Sequence, residues 1–191
     1  MIASDRFAQV EVASEAALLA WLEAHHNQPD SVWLVTWKKQ VPDKHVSRET
    51  VLDALTAYGW TDGVMRRIDD ERVMQLIAPR RQQRWARSYK DRAARLLADG
   101  RMRPPGLDAI ARAKASGLWD AMADVDALSV PADLADALAR YSAHDQWNAL
   151  PPSYRRNVLR WLALARTAGT RDMRIEAAAE STASRRRLPQ M

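Results

Sequence analysis

The hydrophobic pattern of the first thirty residues changes from the period of a strand to that of a helix. Arg6–Val12 alternates apolar and polar residues, which predicts a short strand. Ser14 stands where its side chain can cap a helix that runs to about His25. One face of this helix has apolar residues at helical spacing: Leu18, Trp21 and Leu22. Pro29 lies in the polar segment that ends the helix.

The segment Ser31–Lys39, SVWLVTWKK, has the clearest strand pattern in the chain. Alternation places Trp33, Val35 and Trp37 on one face and Val32, Leu34 and Thr36 on the other. Both faces are largely apolar, which predicts a central strand covered by helices. Ser47 then opens a second helix to about Tyr58, and Gly59 stands where a C-terminal cap would.

A hairpin and a helix are predicted next. Val64–Ile68 and Val73–Ala78 flank a polar turn, and Pro79 ends the second strand. The segment Trp85–Asp99 predicts a helix that closes at Gly100.

No strand pattern follows residue 100, and the rest of the chain predicts helices. They comprise Leu107–Ser116, a helix begun by Ser129-Val130-Pro131, a short segment around Trp147, a helix opened by Pro151-Pro152, and a last one capped by Thr170 and running to about Ala179.

The predicted fold class is α+β, with a small antiparallel sheet packed by helices in the N-terminal half and an all-helical C-terminal half. The expected domains are residues 1–100 and residues 101–180. Residues 181–191, STASRRRLPQM, have little apolar content and no periodicity, so a disordered basic tail is expected.

Composition narrows the class of protein. The 191 residues include no cysteine, which excludes disulfides, thiolate metal sites and a cysteine nucleophile. The N-terminus lacks the apolar core of a signal peptide, and no stretch approaches the roughly 18 uncharged apolar residues of a membrane span. A cytoplasmic location is therefore expected.

Positive charge is concentrated in the middle of the chain. The net charge is +5 overall, but residues 60–115 carry +7 and residues 181–191 carry +3. Such a surface attracts phosphates, acidic peptides or anionic lipids, although a solvated arginine-rich face needs no partner.

No catalytic or cofactor motif is present. The chain has no phosphate-binding glycine loop and no nucleophile elbow. Its four histidines, at positions 25, 26, 45 and 144, lack the spacing of metal ligands. No catalytic residue, metal or cofactor is therefore predicted, and an enzyme built on Asp62 and an arginine pair remains an alternative.

The candidate binding residues lie mainly around the motif Gly59-Trp60-Thr61-Asp62-Gly63, interpreted as a tight turn, and around Arg80-Arg81. Asp62 beside Trp60 could hold a cation or accept hydrogen bonds, or the pair could be a core residue and a turn cap. Arg80 and Arg81 suit carboxylate or phosphate oxygens, or could form internal salt bridges with Asp62, Asp69 or Asp70. Trp37 and Lys38, at the exit of the central strand, and Trp85 complete the candidates.

The run after Arg84 interleaves arginines with Trp85 and Tyr89, as single-stranded nucleic acid requires. Nucleic-acid binding by residues 60–115 is therefore an alternative function. However, Trp85, Tyr89, Ala93 and Leu96 share one helical face, which also predicts an ordinary core stripe.

The order of motifs resembles the bacterial YdeI/OmpD-associated family, also called bacteriocin-protection proteins, over roughly residues 7–180. Gly59-Trp60-Thr61-Asp62-Gly63 and Ile77-Ala78-Pro79-Arg80-Arg81 match that family closely. Arg84-Trp85-Ala86-Arg87-Ser88-Tyr89 keeps the family's tryptophan but loses its hydroxyl and amide positions. The resemblance implies a link to envelope or antimicrobial-peptide stress and no established catalytic activity.

The predicted function is thus a non-enzymatic binding or stress-protection protein of unknown oligomeric state. Its pocket would lie between sheet and helices and hold an anionic small molecule or a peptide. The residues expected there are Trp37, Trp60 and Trp85, edged by Lys38, Asp62, Arg80 and Arg81.

Overall fold

A computed structural model describes residues 6–81 and 84–188, and the chain divides into two compact units, residues 1–119 and residues 120–191. The strands and helices of the first unit follow in chain order: β1 (Gln9–Glu11), α1 (Glu15–His25), β2 (Val32–Trp37), α2 (Arg48–Ala57), β3 (Trp60–Arg67), β4 (Arg72–Pro79), α3 (Arg87–Ala98) and α4 (Pro104–Ala115). A 3-10 turn, Pro42–Lys44, lies between β2 and α2.

The four strands form one sheet in the order β1-β2-β4-β3. The predicted α+β class is confirmed, but the sheet is mixed rather than antiparallel. β1 pairs with β2 in parallel, whereas β2–β4 and β3–β4 are antiparallel. The cause is α1, which carries the chain back across the sheet so that β2 runs in the direction of β1.

The prediction that β2 is a central strand is confirmed, and both of its faces carry buried residues. The predicted helix cover is found on one face, whereas the cluster on the other face consists of described residues that lie outside the helices. Val32 and Leu34 belong to the core that packs with α1 and α2, and Trp33 and Val35 belong to a second cluster with Met74. The larger core includes side chains from three helices and two further strands: Leu18, Leu22, Val51, Leu55, Trp60, Ile77 and Leu96.

The predicted hairpin is also confirmed, but β3 begins at Trp60 rather than Val64. The glycine-bounded motif is therefore not a tight turn. Gly59, at φ +72°, ends α2, and the next residues already form β3. The register of β3 against β4 shifts between Asp62 and Met65, which is a β-bulge.

α3 and α4 pack together in the first unit. Trp85, Ala93 and Leu96 are all buried, which confirms the predicted core stripe, although α3 itself begins at Arg87. Trp85 and Ala93 belong to one buried cluster with Ala109, Ile110 and Ala113 of α4. This packing explains why the compact units divide after Trp119 and not at the expected boundary near residue 100.

The described part of the second unit is helical. Its helices are α5 (Ala123–Asp126), α6 (Ala132–Arg140), α7 (His144–Ala149), α8 (Pro152–Ala163) and α9 (Ala168–Ala183). Their buried faces share one core, which includes Leu134, Leu138, Trp147, Leu159, Leu162 and Ile175.

The structure of the last helix and of the residues after it differs from the sequence prediction. Thr167 rather than Thr170 caps α9, its hydroxyl accepting the Thr170 N–H at 3.2 Å. The helix continues through residues 181–183, and Leu188 is buried in the helical core. The basic segment predicted as disordered is therefore packed as far as Leu188, and residues 189–191 lie outside the described residues.

Over residues 6–81 and 84–188, no helix has the length and apolarity to cross a membrane.

Both serine caps predicted for the first unit form. Ser14 Oγ accepts the Ala17 N–H at 3.1 Å, and Ser47 Oγ accepts the Thr50 N–H at 3.0 Å.

We expect Ser47→Ala to lower the free energy of unfolding by about 1 kcal/mol, because α2 loses that acceptor. Urea unfolding checks this value, with Ser153→Ala as the control because Ser153 is exposed and makes no cap bond. An unchanged midpoint for Ser47→Ala would contradict the prediction.

Candidate functional site

Arg80 is the most unusual side chain among the candidates. It directly follows β4, and its N–H donates to Gly59 O at 2.8 Å. Only 4% of the residue is exposed. The guanidinium carbon lies 4.2 Å from the ring centroid of Trp85 and 4.5 Å from that of Tyr89, so two aromatic faces stabilise the cation.

The polar contacts of the Arg80 guanidinium are few. Nη2 donates to Thr61 Oγ1 at 3.2 Å, whereas Nε is buried without an acceptor within the described part of the chain. No carboxylate of the described residues forms an ion pair with it. Burial lowers the pKa of Arg80, and the nearby Tyr89 and Asp62 oppose that shift.

The internal salt bridges considered from the sequence have other partners. Arg72 pairs with Asp69 at 2.8 Å, and Arg67 pairs with Asp70 within the hairpin turn. These two carboxylates therefore stabilise the hairpin that carries them.

Asp62 is already supplied with hydrogen-bond donors. Its Oδ1 accepts the Tyr89 hydroxyl, and its Oδ2 accepts Gln75 Nε2 at 2.8 Å and Arg48 Nη2 at 3.5 Å. Burial raises the pKa of Tyr89, and donation to Asp62 raises it further. Asp62 thus joins β3 to α2 and α3. Tyr89 links it to Arg80, because the Tyr89 hydroxyl donates to Asp62 and the Tyr89 ring contacts Arg80.

A cavity of about 260 Å³, here named the Arg80 pocket, opens beside this cluster. Its charged and titratable lining consists of His26, Tyr58, Arg80, Arg81, Asp108 and Arg112. Among the described residues, the lining therefore contains three arginines and one carboxylate, that of Asp108. Arg81 is partly fixed, because its Nη2 donates to Pro29 O at 2.8 Å.

Two glycines allow the chain segments around this pocket to approach closely. A Cβ on Gly59 would lie 2.7 Å from Pro105 O, and one on Gly106 would lie 2.2 Å from Ala57 O. Because neither residue has a Cβ, the start of α4 can pack directly against the end of α2 beneath the pocket.

Trp60 does not line this cavity. It is fully buried in the sheet–helix core, where its indole N–H donates to His26 O at 3.3 Å. Its ring meets that of Trp21 edge-on, with centroids 5.5 Å apart. The structure thus gives Trp60 the core environment that was one of its two interpretations.

Trp37 and Lys38 lie at a separate cavity of about 240 Å³ near the exit of β2. Two cationic groups lie near the Trp37 ring: Lys44 Nζ at 4.4 Å and the Arg72 guanidinium carbon at 5.6 Å from its centroid. Lys38 Nζ donates to Asp69 O at 2.8 Å and Asp70 O at 3.0 Å, so it supports the hairpin turn. The structure therefore brings Arg80, Arg81 and Trp85 into one neighbourhood and places Trp37 and Lys38 in another.

Sequence reasoning missed three contributors to the Arg80 neighbourhood. The sequence indicates nucleic-acid stacking or a core stripe for Tyr89 but no pocket role, and it does not single out Arg112 and Asp108 on α4. The helical spacing of Asp108 and Arg112 predicts that both are exposed, but only the packing of α4 against α2 brings them to Arg80. Trp85 is 1% exposed and covered by Arg80, so its ring is not available for stacking on a nucleic-acid base.

The fold and site together define a class of protein: an α+β unit with a buried arginine in contact with two aromatic rings, followed by a helical unit. The chain belongs to the family of the domain of unknown function DUF8412, whose model matches residues 10–109. Residues 127–185 match the family model described as bacteriocin-protection, YdeI or OmpD-associated. Comparisons with curated proteins and with solved structures gave no match.

The second match confirms the resemblance noted in the sequence, and it lies within the helical unit. The motifs at residues 59–63 and 77–81 fall within the first match instead. The Arg80 pocket is therefore part of the unit matched by DUF8412.

Proposed function

We propose that this protein is a non-enzymatic binding protein whose Arg80 pocket holds a carboxylate or phosphate group of a small molecule or peptide. The description of the second family, bacteriocin-protection, supports a protective role for such binding, and our proposal extends that role to protection in stress. The observation that carries the proposal is the buried Arg80 guanidinium, which has aromatic and hydroxyl contacts but no carboxylate partner among the described residues.

A buried cation without an anion is unfavourable, because burial removes water that aromatic faces replace only in part. An arriving carboxylate or phosphate would supply the missing charge and an acceptor for the guanidinium fork. Trp85 and Tyr89 already hold that fork in place, so little side-chain entropy is lost on binding.

The pocket's size fits one anionic group rather than a whole large ligand. Its volume of about 260 Å³ lies just below the usual range for small-molecule sites. The body of a larger ligand would therefore remain at the mouth, near Arg112 and Asp108.

Binding without catalysis is favoured by the state of Asp62. Its two oxygens already accept hydrogen bonds from Tyr89, Gln75 and Arg48. A general base must reach the proton that it removes, and these donors occupy the positions such a proton would need.

The test is a titration of protein with ¹⁵N-labelled arginine, using inorganic phosphate and, separately, acetate at low salt. We expect the Arg80 Nε–H resonance to shift with saturation by about 10 mM. Arg80→Lys keeps the charge but loses the fork, and should weaken phosphate binding, followed in this variant at the Arg112 Nε–H resonance, at least about tenfold. Arg112→Gln changes an exposed residue and should weaken it about threefold.

Arg87→Gln is the matched control, because Arg87 is exposed on α3 and pairs only loosely with Asp91 at 3.7 Å. It should leave phosphate affinity unchanged. If phosphate shifted the Nε–H resonance of Arg80 no more than that of Arg67, which is exposed in the hairpin, the result would show general surface attraction and refute a specific pocket.

A further inference from the structure

The helical unit contains its own cavity, of about 700 Å³, here named the C-terminal pocket. Arg185, Arg186 and Arg187 form one side of it. Tyr154 and Leu150 provide an apolar surface, and the polar part of the lining includes Asp145 and Gln146.

The three arginines stand on a fixed backbone. Arg186 N–H donates to Ser181 O at 2.9 Å and Arg185 N–H to Thr182 O at 3.0 Å, which together form a Schellman motif at the end of α9. Ser181 Oγ also donates to Arg186 O at 2.8 Å. Beyond them, Leu188 is buried and its N–H donates to the Tyr154 hydroxyl at 2.9 Å.

Arg185 occupies a backbone conformation that glycine would adopt more easily. Its φ is +52°, and this position after a helix is the one where glycine is most favoured. An arginine here holds a charged side chain beside the cavity at a cost in backbone strain. Strain of this kind often marks a functional position.

The local charges are not neutralised within the described pocket. Among the described residues, three arginines and one carboxylate, that of Asp145, line the cavity. Arg186 is 3.9 Å from Glu180, and both side chains are mostly exposed, so that pair is weak. Arg187 lies over the Tyr154 ring at 5.7 Å, and Gln146 Oε1 is buried with no donor in the described part of the chain.

We propose that the C-terminal pocket binds a small organic anion with at least two negative charges at one end and an apolar or aromatic body. The arginines bind the charged end, and Tyr154 with Leu150 contacts the body. The cavity volume lies within the range usual for small-molecule sites, whereas a bare phosphate ion would leave most of it unfilled. This site is independent of the Arg80 pocket.

The test uses 1-naphthyl phosphate as the probe, and calorimetry measures its affinity for the full chain. Neutral 1-naphthol and inorganic phosphate serve as the two halves of the probe. We expect each half to bind at least about tenfold more weakly than 1-naphthyl phosphate, and affinity for the whole probe to fall as salt rises.

Arg185→Gly separates the binding role from a structural one. It removes one charge and relieves the strained backbone, so the melting temperature should rise by about 2–4 °C while affinity falls about tenfold. Arg186→Gln, at an unstrained position, should lower affinity similarly without changing the melting temperature.

Arg166→Gln is the matched control, because Arg166 is exposed before the opposite end of α9. It should leave the affinity for 1-naphthyl phosphate unchanged. Equal binding of 1-naphthol, or equal affinity in Arg185→Gly, would overturn the proposal. So would a loss in Arg166→Gln as large as that in Arg186→Gln, since this would show attraction by net charge alone.

Discussion

Replacing Gly106 with alanine is expected to lower the free energy of unfolding of the first unit by about 2–3 kcal/mol. The new Cβ would lie 2.2 Å from Ala57 O and 2.8 Å from Ala57 C, which are backbone atoms at the end of α2. The same Ala57 carbonyl accepts the Arg103 N–H at 3.1 Å, so the backbone cannot move without losing that bond. Alanine's better helix propensity, about 1 kcal/mol, is too small to offset the clash.

Urea unfolding followed by tryptophan fluorescence measures this effect, because six of the eight tryptophans lie in the first unit. Gly169→Ala is the matched control: this glycine also lies in a helix, α9, and a Cβ added to it would meet no atom of the described residues within 4 Å. It should be neutral or stabilising by up to about 1 kcal/mol. Equal stability of Gly106→Ala and wild type would show that α4 can shift away from α2, contrary to the prediction.

Gly106 also illustrates what the sequence could not predict. Local signals were sufficient for elements defined by neighbouring residues: the caps Ser14 and Ser47 form, and the alternating pattern of Ser31–Lys39 correctly predicts a central strand. The close approach of Gly106 to Ala57 depends on two helices that are distant in sequence. The parallel pairing of β1 is a similar case, since alternation does not give strand direction.

For the candidate site too, the sequence indicates individual residues but not how distant residues come together. Arg80 and Trp85 were both singled out by residue type, and they meet as cation and ring. Side-chain types could not reveal that Tyr89 would complete the aromatic pair, and they left open whether Trp60 would line a pocket or fill the core, where it lies. At the end of the chain, the basic composition predicts disorder because Leu188, which is buried in the helical core, has no periodic apolar neighbours.

The second large effect is expected at Asp53 on α2, whose side chain is only 9% exposed. Its carboxylate accepts Arg92 and, at 2.6 Å, Arg95, both on α3, and it lies 3.5 Å from Arg101. Arg92 also pairs with Glu49 at 2.7 Å, so this network joins α2 to α3. Asp53→Asn should lower the free energy of unfolding by about 3 kcal/mol near neutral pH, because a partly buried arginine loses its central anion.

The effect of Asp53 should also depend on pH in a defined direction. Burial by itself raises the pKa of Asp53, but the hydrogen bonds and charges of Arg95 and Arg92 outweigh it, so the pKa lies below its ordinary value. A carboxyl group with a lowered folded-state pKa stabilises the fold above its unfolded pKa of about 3.9. That contribution is lost as pH falls through the folded-state pKa.

The difference in unfolding free energy between wild type and Asp53→Asn should therefore be constant near neutral pH and shrink below about pH 4. Urea unfolding from pH 7 to pH 3 measures it, and the difference between the two proteins cancels the acid sensitivity of other carboxylates such as Asp69 and Asp133, whose pKa values are also lowered. Asp91→Asn, which loses only the exposed 3.7 Å pair with Arg87, should differ from wild type by less than about 0.5 kcal/mol at every pH. A difference for Asp53→Asn that did not shrink in acid would mean that its stabilising role comes from packing rather than from the charge of its carboxylate.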